Sequence, residues 1–255
     1  MRPFLYPIAG LLLACFCTIS IQAQGIVDVE TGMVFTGYNN VRIPGNQGTL
    51  VSLKDDLSPK PGIFYRITAC YTVRQRHTFS LLYAPLETRS KGNVATDVLF
   101  QEVVFPANTP LEGSYRFNSY RFAYRYDLVQ NPRLEFGLGI TGKVRDARIS
   151  LTSAGHTAEK INVGFVPLIH FRLLWKKDDQ YGLLLYGDAL AAPQGRAEDV
   201  MIAATYTLSD RIEIRAGYRI LEGGADNNEV YTFSLFNYAS IGITYTFYKP
   251  SNGLK

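Results

Sequence analysis

The feature that most constrains this chain is a side-chain alternation of period two that recurs along it and continues to its last aromatic residues. From Tyr231 the odd positions read Tyr231, Phe233, Leu235, Asn237, Ala239, Ile241, Ile243, Tyr245 and Phe247, and the residues between them are mostly Thr, Ser and Gly. A period of two sorts side chains onto the two faces of an extended strand, and this strand far exceeds the ~5–6 residues usual in sheets. The pattern returns in Ile63, Tyr65, Ile67, Ala69, Tyr71 and Val73, in Tyr120, Phe122, Tyr124 and Tyr126, and in Ile212, Ile214, Ala216, Tyr218 and Ile220. Beyond the N-terminal leader, no stretch reaches the ~18 apolar residues of a transmembrane helix.

Turn residues divide the chain into ten strands, near 26–37, 63–73, 78–89, 115–128, 133–145, 161–176, 181–191, 198–208, 211–221 and 230–248. The connections alternate. Arg74-Gln75-Arg76-His77, Gln130-Asn131-Pro132, Asp178-Asp179-Gln180 and Ser209-Asp210 are tight, whereas 38–62, 90–114, 146–160, 192–197 and 222–229 are longer and carry Gly, Pro, Asn and charge. All short turns then lie at one end of the sheet and all long connections at the other, with both chain ends on the short-turn side. The fold class predicted is all-β, a single up-and-down antiparallel β-barrel of about ten strands, with short turns at one end and long loops at the other. No repeat or linker divides it.

Met1-Arg2-Pro3, an apolar run from Phe4 to Cys17 and a small residue at Ala23 are the parts of a secretory signal peptide, with cleavage expected after Ala23 or Gln24. The organisation read from this is a leader over 1–23, a barrel over 24–248 and a tail over 249–255. Leu12-Leu13-Ala14-Cys15 also resembles a lipoprotein cleavage box, which would instead place a lipid anchor on Cys15. Loss of the leader removes Cys15 and Cys17, leaves Cys70 alone and excludes an intrachain disulfide. It also lowers the formal charge from +4 by the one Arg2, and no run of Lys and Arg offers a nucleic-acid footprint, so no nucleic-acid partner is expected.

The polar faces carry Arg66, Arg121, Arg125, Glu135, Lys143, Arg145, Arg172, Glu213, Arg215 and Arg219. On the apolar faces, Tyr71, Phe79, Tyr126, Phe136, Trp175, Tyr181, Tyr206, Tyr245 and Phe247 all fall within a few residues of a short turn or the final strand end. Amphipathic rings gathered at one level form the girdle of a membrane–water interface. With these features residues 25–248 resemble the outer-membrane β-barrel proteins of Gram-negative bacteria. The resemblance implies a transmembrane β-barrel with short periplasmic turns and long outer loops, resident in the bacterial outer membrane, with outer-membrane lipid and the barrel-assembly machinery as partners. Family chains usually finish on a terminal aromatic residue thought to be read by that machinery; here Tyr248 to Lys255 follow Phe247. A count of ten strands also resembles the omptin proteases.

If Asp178-Asp179-Gln180 joins its two strands with Lys177 facing Tyr181, antiparallel pairing sets His170 opposite Asp188 on the lumen side. A carboxylate beside an imidazole fixes its tautomer, as a general base requires, so His170 and Asp188 are the catalytic candidates; the alternative is a polar pair bracing the interior. His77 and His156 read as solvated turn and loop residues. The ligand-binding candidates are Arg121, Arg125, Arg145, Arg172, Glu213 and Arg215 in the lumen and Arg196 and Glu222 in outer segments, with Arg125 and Glu135 within reach of a diagonal pair. The polar faces carry more cations than anions, which predicts a cation-rich lumen that would favour anions if water filled it. A ten-stranded bore should however be mostly filled by side chains, so a plugged lumen is expected. Asp226, Asn227 and Glu229 are hard oxygen donors that could suit Ca²⁺, or form an ordinary turn; no other cofactor is indicated. Among the outer connections, 39–56 could fold over the mouth, and the apolar stretch 94–105 reads as a strand extending above the membrane. Three functions stay open: a structural or ligand-binding barrel, a hydrolase of lipid or peptide, and a small anion channel.

Overall fold

A computed structural model describes residues 23–192 and 195–247; the leader, Pro193-Gln194 and the tail after Phe247 lie outside these. Its regular structure is entirely strand: β1 (Ala23–Arg42), β2 (Val51–Ser52), β3 (Ser58–Pro59), β4 (Gly62–Val73), β5 (His77–Ala84), β6 (Glu87–Asn93), β7 (Val98–Phe100), β8 (Val103–Phe105), β9 (Pro110–Gln130), β10 (Leu134–Ser153), β11 (His156–Lys176), β12 (Tyr181–Ala192), β13 (Gly195–Ser209), β14 (Ile212–Asp226) and β15 (Tyr231–Thr246). β5 and β6 are one barrel strand interrupted at Pro85-Leu86, since both pair with β9. From β9 onward each strand pairs antiparallel with the next, and β15 returns to β1, which also pairs with β4. The result is a closed ten-stranded antiparallel barrel, which has no free sheet edge.

The alternation has its physical counterpart in the two faces of this wall. Outward side chains are apolar and open: Ile63 is 86 % exposed, with Ile140, Phe165, Val163 and Ile241 also exposed. A continuous apolar belt of this kind is unsuited to water and is the lipid-facing surface of a membrane barrel. On β11 it runs from Ile161 to Trp175, roughly 35 Å of height for a strand tilted near 40°, enough to span a hydrocarbon core of about 30 Å. Tyr71, Phe79, Trp175, Tyr181, Tyr245 and Phe247 are exposed on the belt near the short turns. A second aromatic row lies toward the other rim, where Tyr83 packs against Tyr65 and Tyr120 at ring distances of 6.2 and 5.2 Å.

The outer connections differ from the expectation of loops beginning where the belt ends. β9, β10 and β11 are 21, 20 and 21 residues long, about twice the ~9–11 needed to cross a bilayer, so pairing continues well above it. Most of 146–160 is therefore a hairpin extension, turned by Ala154 and Gly155, both at positive φ as a two-residue type I′ turn requires. The stretch 94–105 is not a barrel strand rising from the membrane. Val98–Phe105 forms a separate hairpin, β7–β8, whose Val98, Phe100 and Phe105 are buried. Alternation alone cannot separate these cases, because any half-buried hairpin has period two. Those side chains pack with Ile43, Val51, Leu53 and Leu57 from the first outer connection and with inward Tyr115, Ile149, Leu151 and Phe236 of the barrel wall, forming an apolar cluster at the outer end.

Candidate functional site

Beneath that cluster the inward faces of six strands bring charged groups together. Glu30 of β1 accepts from Arg219 Nε at 2.9 Å and Nη2 at 2.8 Å, from Arg215 Nη2 at 3.3 Å and from the Ser240 hydroxyl at 2.9 Å. Asp199 of β13 accepts from Arg66 at 2.9 Å, from Arg121 at 2.5 Å and from Arg219. Asp188 of β12 accepts from Arg121 Nη1 at 2.6 Å, Thr141 at 2.6 Å and His170 Nδ1 at 2.8 Å. Asp28 takes the Arg215 fork and the Thr244 hydroxyl at 2.6 Å. Alternation explains why these groups meet: each stands on the face opposite the belt, and in a narrow barrel opposite walls lie within a guanidinium's reach. Burying such charges is tolerable because each is paired and hydrogen-bonded, most of them more than once. Gly242 supplies the room for one of them, since a Cβ there would lie 2.5 Å from Arg215 Cζ.

The register places His170 opposite Asp188, as the turn at 178–180 predicts. His170 is 2 % exposed and its ring meets Tyr186 edge-on at 5.1 Å. The carboxylate can only accept, so Nδ1 carries the proton in this pair. Of the ligand-binding candidates, Arg121 and Arg215 belong to the central network. Arg125 and Arg172 lie nearer the short turns, with Asp127 at 2.8 Å from Arg125 and Glu135 at 2.7 Å from Arg172; Lys176 also donates to Glu135. Arg125 thus pairs within its own strand rather than diagonally to Glu135. The register sets Arg125 opposite Gly139, four residues along β10 from Glu135, while Asp127 is its next neighbour on the inward face; just beyond, a bulge takes pairing from Phe136 with Val129 to Gly137 with Asp127, skipping Leu128. Glu213 sits on the same inner face near Arg172 and Arg215. Arg145 donates to Asn162 at 2.5 Å near the outer rim.

Arg196 and Glu222 are brought together at the outer end, with both carboxylate oxygens 2.8 Å from Arg196 Nε, Tyr38 also donating to Glu222 and Phe233 stacked under the guanidinium at 5.2 Å. Asp226, Asn227 and Glu229 form the turn before β15. Asn227 Oδ1 accepts from the backbone N–H groups of Glu229 and Val230, both at 3.0 Å, and Glu229 lies 3.8 Å from Lys160. Among the described residues no three His, Cys, Asp or Glu side chains gather as a metal site. His77 is not a free turn residue, as its Nδ1 lies 3.0 Å from the Tyr124 hydroxyl. In the turn after β11, Asp178 accepts from the N–H groups of Gln180 at 2.9 Å and Tyr181 at 2.7 Å, which holds its carboxyl below the ordinary range.

Reading the sequence missed Asp28, Glu30 and Asp199, and with them the balance of the lumen, which is not simply cation-rich. The signal was present: Asp28 and Glu30 alternate with the outward Val27 and Val29, and Asp199 is in phase with the inward Met201 and Ala203. Lys143 stands apart. It is 3 % exposed and makes no hydrogen bond or salt bridge among the described residues; its ammonium lies 4.6 Å from the centroid of the Phe117 ring. A desolvated cation–π contact is worth about 2 kcal/mol, less than the several kcal/mol of burying an unpaired ammonium. Close by, a small cavity with room for about one water-sized guest is lined by Phe64, Arg66, Phe117, Ser119, Arg121 and Tyr238 among others.

No protein-family model matches the chain, and no curated protein matches it. Solved structures do. The outer membrane protease OmpT from Escherichia coli aligns at a TM-score of 0.56 and 10 % identity, covering 91 % of this chain and 99 % of that one. The attachment invasion locus protein Ail of Yersinia pestis, in complex with the heparin analogue sucrose octasulfate, aligns at 0.40 and 10 % identity over 88 % of this chain and 99 % of that one. The toluene transporter TodX of P. putida aligns at 0.36 and 8 % identity over 88 % and 89 %. The first likeness speaks to fold alone, and the other two are too distant to bear on the argument. Closed topology, apolar belt and aromatic rows agree with it: the chain has the fold of the bacterial outer-membrane β-barrels, and its lipid-facing surface places it in that membrane.

Proposed function

We propose that the protein is a closed, non-conducting outer-membrane scaffold that acts through its outer hairpins, as a structural or ligand-binding barrel. The observation that carries this reading is the central ion network. Asp199 joins β13 to β4, β9 and β14, Glu30 joins β1 to β14 and β15, and Asp188 joins β12 to β9, β10 and β11. A lumen crossed by ion-paired groups offers a permeating ion no continuous water path, and the apolar cluster above adds a dry layer. The hydrolase alternative is less well supported, since His170 is buried, has its Nδ1 held by Asp188 and its ring against Tyr186, and is not a wall of the cavity. In this reading the partners are outer-membrane lipid along the belt, the barrel-assembly machinery during insertion, and an unidentified ligand at the outer rim, where Arg196, Glu222 and Tyr38 stand. Reconstitution into planar bilayers tests it. The expected record is a flat current at all voltages that leave the bilayer intact; a steady anion-selective conductance would overturn closure and favour the channel.

A further inference from the structure

We propose that the small cavity beside the ion network binds one small monovalent anion of halide size. The charged walls of this cavity are both cationic, Arg66 of β4 and Arg121 of β9, and the Ser119 hydroxyl, next to Arg121 on the inward face of β9, is a third polar wall. Its aromatic walls, Phe64, Phe117 and Tyr238, have ring edges that carry partial positive charge. Arg66 makes a single hydrogen bond among the described residues, from Nη2 to Asp199, although a guanidinium has five N–H donors. Lys143 is the cross-strand neighbour of Arg121, and its unpaired ammonium rests on Phe117, the ring that also walls the cavity. Over the buried centre as a whole the charges balance, Arg66, Arg121, Lys143, Arg215 and Arg219 facing Asp28, Glu30, Asp188, Asp199 and Glu213, so the surplus of positive charge is local to the cavity, where no carboxylate forms a wall. The size of the space admits a halide but not a phosphate, sulfate or organic acid.

The anion is lodged rather than conducted, so the proposal does not rest on the closed-scaffold reading: a conductance in bilayers would end that reading and leave this one standing. The test uses the full barrel refolded and crystallised in bromide, with the anomalous signal recorded at the bromine edge. One bromide peak is expected in the cavity, within contact distance of Arg66 and Ser119. Thermal unfolding in detergent should also occur a few degrees higher in bromide or chloride than in gluconate, which is too large to enter, at equal ionic strength. In Lys143→Gln that halide dependence should be lost. A cavity that is empty or filled by water alone in the wild-type bromide map overturns the proposal, as does an unchanged halide dependence in Lys143→Gln. The wild-type map decides by itself if the variant fails to fold.

Discussion

Replacing Asp199 by Asn keeps the shape of the side chain and removes one charge from the middle of the network. Three guanidinium groups depend on that carboxylate. Arg66 is left with only Glu30, at 4.0 Å, while Arg121 retains Asp188 and Arg219 retains Glu30. All of these side chains are within a few per cent of full burial, so water can restore little of what is lost. Breaking a buried ion pair from one side costs about 3–5 kcal/mol, which is roughly two to three and a half powers of ten in the unfolding equilibrium. Urea unfolding of the refolded barrel in detergent, followed by tryptophan fluorescence and by heat-dependent gel mobility, measures the difference. The informative control is the exposed pair between Arg89 and Glu87, where Arg89→Gln should change stability by about 0–1 kcal/mol and lose even that at high salt. The Asp199→Asn loss should by contrast be nearly independent of salt. A variant within about 1 kcal/mol of wild type, or one whose loss vanishes in salt, would mean that the lumen is wet and screened, and the reasoning behind the closed barrel would fail.

His170→Ala should lower stability by about 1–3 kcal/mol by leaving an Asp188 lone pair unsatisfied, with the barrel otherwise intact and any ligand binding at the rim unchanged; loss of a hydrolytic activity with unaltered stability would instead revive the enzyme. Gly242→Ala drives a methyl group into a guanidinium fixed by Asp28 and Glu30, and should cost about 1–3 kcal/mol in the same urea assay, whereas Arg215→Ala in that background should reverse the clash term. The depressed Asp178 carboxyl stabilises the fold above its unfolded value, near 4, and this contribution is lost as the pH falls through the lower folded value; Asp178→Asn should therefore flatten the acid limb of the stability profile below about pH 4. Full retention of that limb in the variant would assign it to other carboxyl groups.

What was legible in the sequence was whatever depends on parity. The alternation at 231–247 gives the belt and the inward face together, and a tight turn at 178–180 fixes every pair between β11 and β12, so His170 and Asp188 could be set opposite each other from numbering alone. Parity fails where a residue is skipped. The bulge at Leu128 shifts β9 by one residue against β10, and nothing in Tyr126-Asp127-Leu128-Val129 announces it. A second irregularity lies between Thr36 and Tyr38, and it turns Tyr38 outward to meet Glu222. Parity is also blind to what an apolar face touches, and so the hairpin at Val98–Phe105 was indistinguishable from a lipid-facing strand. The central network was half visible for a different reason: arginines are conspicuous on polar faces, while Asp28, Glu30 and Asp199 sit singly among small or apolar residues and acquire meaning only when opposite walls are brought together.

The position of Glu30 has a consequence for how the cylinder is joined. β1 is the strand that meets both β15 and β4, and its Glu30 and Asp28 hold Arg215 and Arg219 of β14, the strand beyond β15. An open sheet would leave Arg215 without its carboxylates and Arg219 with Asp199 alone. The seam between the first and last strands is thus fastened by ionic bolts reaching past the adjoining strand as well as by its backbone ladder. A misregistered seam would place Glu30 at the wrong height and leave the bolts unengaged, so the charge pattern itself proofreads closure.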